Sequence, residues 1–329
     1  MTGKAPGKAH REGLTLVELM DMFPTEEAAT AWFESVMWPD GERHCPKCGC
    51  TETSEVPNAN PMPYWCKGCR SYFSVRTGTP IARSNVPLRK WAIAIYLCLT
   101  NLKSVSSMKL KRDIGVSQPT AWFMLHRIRE AWAEEDDDQF DGPVEVDEVY
   151  MGGLRENMPL SKRKALKEAG AGRGPAGKTV VVGVKDRDSN EIRAEVVERT
   201  DGATLKGFIR EHVEPGATVY TDEYAPYKGL SGFRHESVNH KVSEYVRGMA
   251  HTNGIESFWA MLKRAHDGTF HKISPKHLQR YVSEFAGKHN IRDSGTLAQM
   301  RDTVARLVGR NLLYRDLIAD NGRSSGARS

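Results

Sequence analysis

The chain has 329 residues, a length that suits two or three domains better than one. Hydrophobic residues make up 39% and charged residues 27%, the balance of a globular protein, which excludes a disordered or fibrous chain. The formal net charge is +5, no apolar run approaches the roughly eighteen residues of a membrane span, and the N-terminal MTGKAPGKAHREG lacks the apolar core of a signal peptide.

Residues 1–13 and 320–329 read as mobile tails, rich in small and charged side chains. Leu14 to Trp38 reads as helical, with Thr25 after Pro24 as an N-cap and Ala28, Trp32, Phe33 and Val36 at helical spacing. Five of the six cysteines then fall between residues 45 and 69. Cys45-x-x-Cys48 and Cys66-x-x-Cys69 enclose 17 residues, and two such knuckles close a tetrahedron of thiolates around one structural Zn²⁺. The aromatic residues Tyr64, Trp65, Tyr72 and Phe73 supply the short strands of a zinc ribbon. A redox role would ask instead for a single Cys-x-x-Cys beside a βαβ pattern, which is missing. Cys50 and Cys98 stand outside the set, Cys98 as a small core residue of an apolar helix opened by Pro87.

Two shorter helices follow, about 104–114 and 118–132, joined through Gly115 with Ser117 as N-cap. Ala121, Leu125, Ile128 and Trp132 form one buried stripe, leaving Gln118, Thr120, Arg127 and Arg129 for the opposite face. Eight Lys/Arg against two Asp/Glu between residues 86 and 130 favour a DNA-binding helix-turn-helix over an ordinary helical hairpin. At Glu134–Asp138 the charge reverses sign, which marks a boundary. Beyond it come the strand-like runs VEVDEVYM, TVVVGVKD and IRAEVVER, an amphipathic helix near Thr204–Val213, and a further strand, ATVYTDEY. That order implies a mixed sheet with helices on its faces. The stretch 152–178 between the first two strands is Gly-rich and basic, with Lys162, Arg163 and Lys164 as candidate DNA contacts, and reads as a loop.

The segmentation is therefore an N-terminal helical segment (1–40), a zinc ribbon (41–85), a helix-turn-helix (86–133), an acidic linker (134–142), an α/β domain (143–290) and a C-terminal helix with a tail (291–329). The fold class is multidomain α+β. Within the α/β domain, Asp147 and Asp222 interrupt strands that are otherwise β-branched, and burying such a charge is costly without a partner such as a metal. Glu256 lies on HTNGIESFWAMLKRAH, where Ile255, Phe258, Trp259 and Leu262 make an apolar stripe; Lys263 follows seven residues later on one flank. Two strand acids and one helix acid suit Mg²⁺, two ions of which activate an attacking oxygen and stabilise a leaving one. Glu145, on the strand face of Asp147, and Glu223, beside Asp222, compete for the same role. His251, just before the Glu256 helix, caps or packs, with a DNA contact near the metals as the alternative, and Lys276, His277 and Arg280 offer phosphate contacts on a later helix that supports the sheet.

At CPKCG…WCKGCRSYFSVRTGTP, VDEVYMGG, TDEY, HTNGIESFWAMLKR and SPKHLQRYVSEFAGKHN the chain resembles bacterial insertion-sequence transposases with an N-terminal zinc ribbon and a DDE domain of the ribonuclease-H-like fold. Carried over position by position, the resemblance places the catalytic acids on Asp147, Asp222 and Glu256 and the trailing basic residue on Lys263. Some relatives use an amide in place of the third acid, so Asn253 keeps a minor claim. The resemblance implies Mg²⁺-assisted cleavage at the ends of an insertion sequence, attack of the freed 3′-hydroxyl on target DNA, and recognition of terminal inverted repeats by the ribbon and helix-turn-helix. It also implies a homodimer or larger assembly on DNA and a cytoplasmic, nucleoid-associated location. The rival expectations are a DNA-binding regulator derived from a transposase and a structure-selective nuclease of the same fold.

Overall fold

In the computed structural model, which describes residues 12–133, 138–152, 158–168, 177–222, 224–238 and 251–325, Pro24 splits the first helical stretch in two. Helix α1 (Leu16–Met22) opens on a capping box in which Thr15 and Glu18 bond each other's backbone N–H. Helix α2 (Glu26–Met37) opens on Thr25, whose Oγ1 accepts from the Ala28 N–H at 3.3 Å. Strands β1 (Thr53–Glu55), β2 (Tyr64–Cys66) and β3 (Ser71–Phe73) form a three-stranded antiparallel sheet. Tyr64 and Phe73, opposite one another, pack their rings 5.8 and 6.3 Å from Trp38 at the end of α2. Helix α3 (Leu88–Thr100) follows Pro87, and α4 (Ser107–Ile114) ends at Gly115 in the left-handed conformation. Helix α5 (Gln118–Arg129) starts at Ser117, whose side chain accepts from the Thr120 N–H.

Among the described residues, the second unit is a five-stranded mixed sheet with four α-helices. It comprises β4 (Val144–Met151), α6 (Leu160–Glu168), β5 (Thr179–Asp186), β6 (Ile192–Val197), α7 (Gly202–His212), β7 (Thr218–Asp222), β8 (Arg234–Val238), α8 (Asn253–Ala265) and α9 (Leu278–Asn290). The strand order is β6-β5-β4-β7-β8; the β6–β5 and β5–β4 pairs are antiparallel, whereas the β4–β7 and β7–β8 pairs are parallel. The valine-rich strands are buried on both faces, as strands covered by helices on each side must be. On one face Val144, Val146, Val182 and Val184 pack on Leu205, Phe208 and Ile209 of α7. On the other Val149, Met151 and Val181 pack on Ile255, Phe258, Trp259 and Leu262 of α8 and on Val282 and Phe285 of α9. Strand β6 is an edge, and α9 closes it with side-chain amides: Gln279 accepts from the Val196 N–H at 2.7 Å and Asn290 from the Ile192 N–H at 2.9 Å.

Helices α10 (Thr296–Ala305) and α11 (Tyr314–Ile318) return to the first unit. Met300 and Val304 of α10 enter the same apolar core as Trp32, Phe33, Trp91, Ile95, Leu110 and Ile128. One core thus joins the segments that sequence reading separates as 1–40, 41–85 and 86–133, and residues 291–320 belong to it instead of standing alone. The described part of the expected C-terminal tail makes contacts as well: Asn321 Nδ2 donates to the Lys276 carbonyl at 3.0 Å and Arg323 Nη2 to the Val196 carbonyl at 3.2 Å. In the basic stretch 152–178, residues 160–168 are helical where a loop was expected.

Candidate active site and zinc cluster

Strands β4 and β7 pair in parallel with Val144 beside Val219 and Glu145 beside Tyr220, and Asp147 and Asp222 each follow that last pair by two residues. Residues level on neighbouring strands point to one face. For β4 that face carries Glu145, Asp147, Val149 and Met151, and it is the face α8 covers, since Val149 and Met151 pack against Ile255 and Glu145 bonds the Ile255 N–H. Glu256, in the first turn of α8, follows directly. Its Oε1 accepts from Thr252 Oγ1 at 2.9 Å, and its side chain is exposed, as is that of Lys263 two turns on. Asp222 ends β7, where its Oδ1 accepts from the Tyr224 N–H at 3.0 Å.

Electrostatics join the three acids. Burial pushes the Asp147 carboxyl up to about 7, and the negative charges of Glu148, Asp222 and Glu256 all add to that shift. Glu148, on the opposite strand face, bonds the buried Tyr227 hydroxyl at 2.9 Å. Burial pushes its carboxyl up to about 7 too, with the Tyr227 hydrogen bond opposing and the charge of Asp222 adding. An all-oxygen set of mutually repelling carboxylates fits a hard divalent cation, which would relieve the repulsion. At least one pair of oxygens from Asp147, Asp222 and Glu256 is more than 4.8 Å apart, because the three do not form a cluster of that spread.

Two glycines let α8 lie close to the sheet. Gly183 stands opposite Asp147 on β5, and Gly254 lies against Glu145 and Lys185, which face each other across β4 and β5. Neither glycine has a periodicity signal in sequence. Glu148 was overlooked for a related reason: Tyr227, its partner, is 79 residues away in the chain. Of the competing acids, Glu145 is buried and spends both oxygens on internal partners, so it is withdrawn from ligand duty. Glu223 lies outside the described residues. Asn253 is the first residue of α8 and exposed. His251 packs, with Nδ1 3.3 Å from Glu145.

The four cysteines converge. Cys45 and Cys69 sulfurs are 3.7 Å apart, those of Cys48 and Cys66 are 3.6 Å apart, and all four lie within 4.8 Å of one another. Tetrahedral zinc with bonds of ~2.3 Å spaces its sulfurs by ~3.8 Å, so the cluster has the size of a closed zinc site. The Cys69 backbone N–H holds the Cys66 thiol down to about 6, toward the thiolate that binds metal. Cys50 lies outside the set and packs over Gly68, where a Cβ would come 2.9 Å from its sulfur. Cys98 is buried in α3, as expected of a small core residue. A second potential metal-binding group among the described residues joins Glu195, Glu211 and His212, with His212 Nε2 already 3.2 Å from Glu195.

The expected DNA contacts divide. Gln118 and Thr120 are half-buried on the first turn of α5. Arg127 and Arg129 are corrections: they are 8% and 2% exposed, so they do not line an open helix face. The Arg127 guanidinium stacks 3.9 Å above the Phe123 ring, and burial pulls its pKa down. Helical spacing assigned both arginines outward on charge alone, whereas the aromatic face of α5 draws Arg127 in. Arg163 and Lys164 are exposed on α6; the Lys162 side chain lies outside the described residues. Lys276 and Arg280 are half-buried at the start of α9.

A mixed sheet bearing acids on two neighbouring strands and a third on the covering helix has the ribonuclease-H-like transposase fold. Residues 139–290 match the ISXO2-like transposase domain and residues 24–71 the transposase zinc-ribbon domain, and the chain belongs to this transposase family. It is 29% identical over 279 residues to a protein of the transposable element ISH50 of Halobacterium salinarum, covering 82% of this chain and 92% of that one. It is also 36% identical over 97 residues to a transposase-like protein of Haemophilus influenzae, covering 29% of this chain and 77% of that one. No helix among the described residues is long and apolar enough to cross a membrane.

Proposed function

We propose that this transposase binds the terminal inverted repeats of an insertion sequence and carries out Mg²⁺-dependent strand cleavage and strand transfer, with Asp147, Asp222 and Glu256 as the metal-binding acids. The observation that supports this reading is that β4 and β7 pair in parallel just before Asp147 and Asp222, that the helix of Glu256 packs on β4, and that the charges of Asp222 and Glu256 act on Asp147. Bound Mg²⁺ would activate the attacking oxygen and stabilise the leaving one. Asp147, Asp222 and Glu256 would hold the ions. Lys263, on the exposed flank of α8, would meet a DNA phosphate as a point charge. The first unit would recognise the ends, with Zn²⁺ held by Cys45, Cys48, Cys66 and Cys69 for structure alone. Because two cleaved ends must be handled together, the active species would be at least a homodimer on DNA.

The test is Asp147→Asn and Asp222→Asn, each assayed for binding and for cleavage of end-sequence DNA with Mg²⁺. Cleavage is expected to vanish while binding persists. Wild-type protein that binds ends but cuts them under no divalent metal would make this a regulator; equal cutting of branched DNA of unrelated sequence would make it a structure-selective nuclease.

A further inference from the structure

Close to the three acids in sequence, the elements that carry them meet at the Glu145–Arg187 ion pair. Glu145 is two residues before Asp147, Tyr220 two residues before Asp222, and Ile255 one residue before Glu256. Arg187, just beyond β5, donates from Nε to Glu145 Oε1 at 2.9 Å and from Nη2 to the His251 carbonyl at 2.5 Å, and its guanidinium lies 4.0 Å above the Tyr220 ring. Glu145 Oε2 accepts from the Ile255 N–H at 2.9 Å. The Glu145–Arg187 pair therefore touches β4, β7 and the first turn of α8 together. Gly254 makes the approach possible, since a Cβ there would stand 2.8 Å from Glu145 Oε2 and from Lys185 Nζ.

The chemistry of the pair favours a fixed geometry. Glu145 is 2% exposed, and a buried carboxylate is tolerated where a cation and hydrogen-bond donors satisfy it. Here one donor is an N–H at a helix N-terminus, where the positive end of the helix dipole also favours the carboxylate. Rotating or sliding the first turn of α8 would break that bond and leave the charge short of a partner. Glu256, the next residue along, is held by the same constraint.

We propose that Glu145 and Arg187 are positioning residues that set Glu256 against Asp147 and Asp222 and thereby tune divalent-cation affinity; this rests on reading those three acids as a metal site. Outer partners of metal ligands typically change affinity by about 10–100-fold when altered.

The experiment titrates Mn²⁺ into the full-length chain and follows free Mn²⁺ by its electron paramagnetic resonance signal. The quantity read is the binding that Asp147→Asn removes, which sets aside the Glu195, Glu211 and His212 group. Glu145→Gln and Arg187→Lys are expected to weaken that binding by roughly 10–100-fold, with zinc content and end-DNA binding unchanged and cleavage recovered at higher Mn²⁺. Wild-type Mn²⁺ affinity in a folded Glu145→Gln protein would overturn the proposal, even if its unfolding midpoint fell. If Glu145→Gln does not fold, Arg187→Lys, which keeps the charge and loses the planar fork, decides by the same readout. If Asp147→Asn leaves Mn²⁺ binding intact, the metal-site reading fails and the positioning role falls with it, an outcome separate from failure of the pair alone.

Discussion

The indole of Trp259 occupies the space that a side chain on Gly183 would need. A Cβ on Gly183 would stand 2.7 Å from both Cζ2 and Cη2 of that ring and 3.2 Å from Ile255 Cδ1. Gly183 faces Asp147 across β4 and β5, so the missing side chain lets α8, and with it Glu256, settle onto the sheet at the level of the first acid. Gly183→Ala is expected to cost about 1–3 kcal/mol of stability through overpacking. Cleavage should fall further than the folded fraction does, because the helix must lift. Denaturant unfolding alongside single-turnover cleavage measures both. A variant that cuts at the wild-type rate would show that α8 has slack.

How much of this was legible beforehand depends on the range of the interaction. The cysteine spacing, the caps at Thr25 and Ser117, the strand at Asp147 and the apolar stripe of the Glu256 helix are local patterns, and each stands where its periodicity placed it. Contacts spanning long stretches of chain were not legible. The Glu145–Ile255 bond joins residues 110 apart, and Met300 of α10 returns to a core built more than 200 residues earlier by Trp91 and Ile95. Strand β8, RHESV, has too few apolar residues to announce itself and, among the described residues, pairs only with β7. Arg127 departs from the outward face that its helical spacing predicts because its planar head stacks on Phe123.

The raised carboxyls give stability a defined pH dependence. Asp147 and Glu148 sit at about 7 in the folded chain, against ~4 for unfolded carboxyls. As pH rises between those values the unfolded chain sheds its protons first, which draws the equilibrium toward unfolding, and the loss is complete above about 7. Cation-free protein should therefore melt at a lower temperature at mildly alkaline than at mildly acidic pH. Asp147→Asn should flatten part of that slope. Mg²⁺, which binds the ionised form, should stabilise wild type increasingly across the same window. Thermal melts of both proteins across this pH range, with and without Mg²⁺, test the sign.

The zinc ribbon shares its aromatic residues with α2, so metal loss should reach beyond the ribbon. Cys45 and Cys66 are fully buried in the same core as Trp38, Tyr64 and Phe73. Cys66→Ser, or prolonged chelation, is expected to release one zinc per chain and to unfold the first unit, in keeping with ~10–16 kcal/mol for structural zinc in small domains. Cys50→Ala should keep its zinc, because Cys50 lies outside the four-sulfur cluster. Elemental analysis with far-ultraviolet circular dichroism reads both results. A Cys50→Ala protein without zinc would assign that thiol to the site.

Burial also redistributes the expected DNA contacts of the helix-turn-helix. Lys111 and Arg112 are exposed in the last turn of α4, beside the first turn of α5 where Gln118 and Thr120 stand. Arg127 instead stacks on Phe123, whose ring meets Tyr314 of α11 at 5.5 Å. A phosphate contact contributes about one unit to the slope of log affinity against log salt. Lys111→Ala and Arg112→Ala should each remove about one unit without changing the unfolding midpoint. Arg127→Met should leave the slope intact and lower the midpoint, because what it loses is packing. Gln118→Ala should leave the slope alone and relax the preference for end sequence over unrelated DNA, since a neutral amide reads base edges and releases no counterion. Salt titrations of end-DNA binding separate these cases. If Arg127→Met lost a full unit of slope, the guanidinium would have to leave Phe123 to reach phosphate, and the helix-turn-helix would rearrange on DNA rather than dock as it stands.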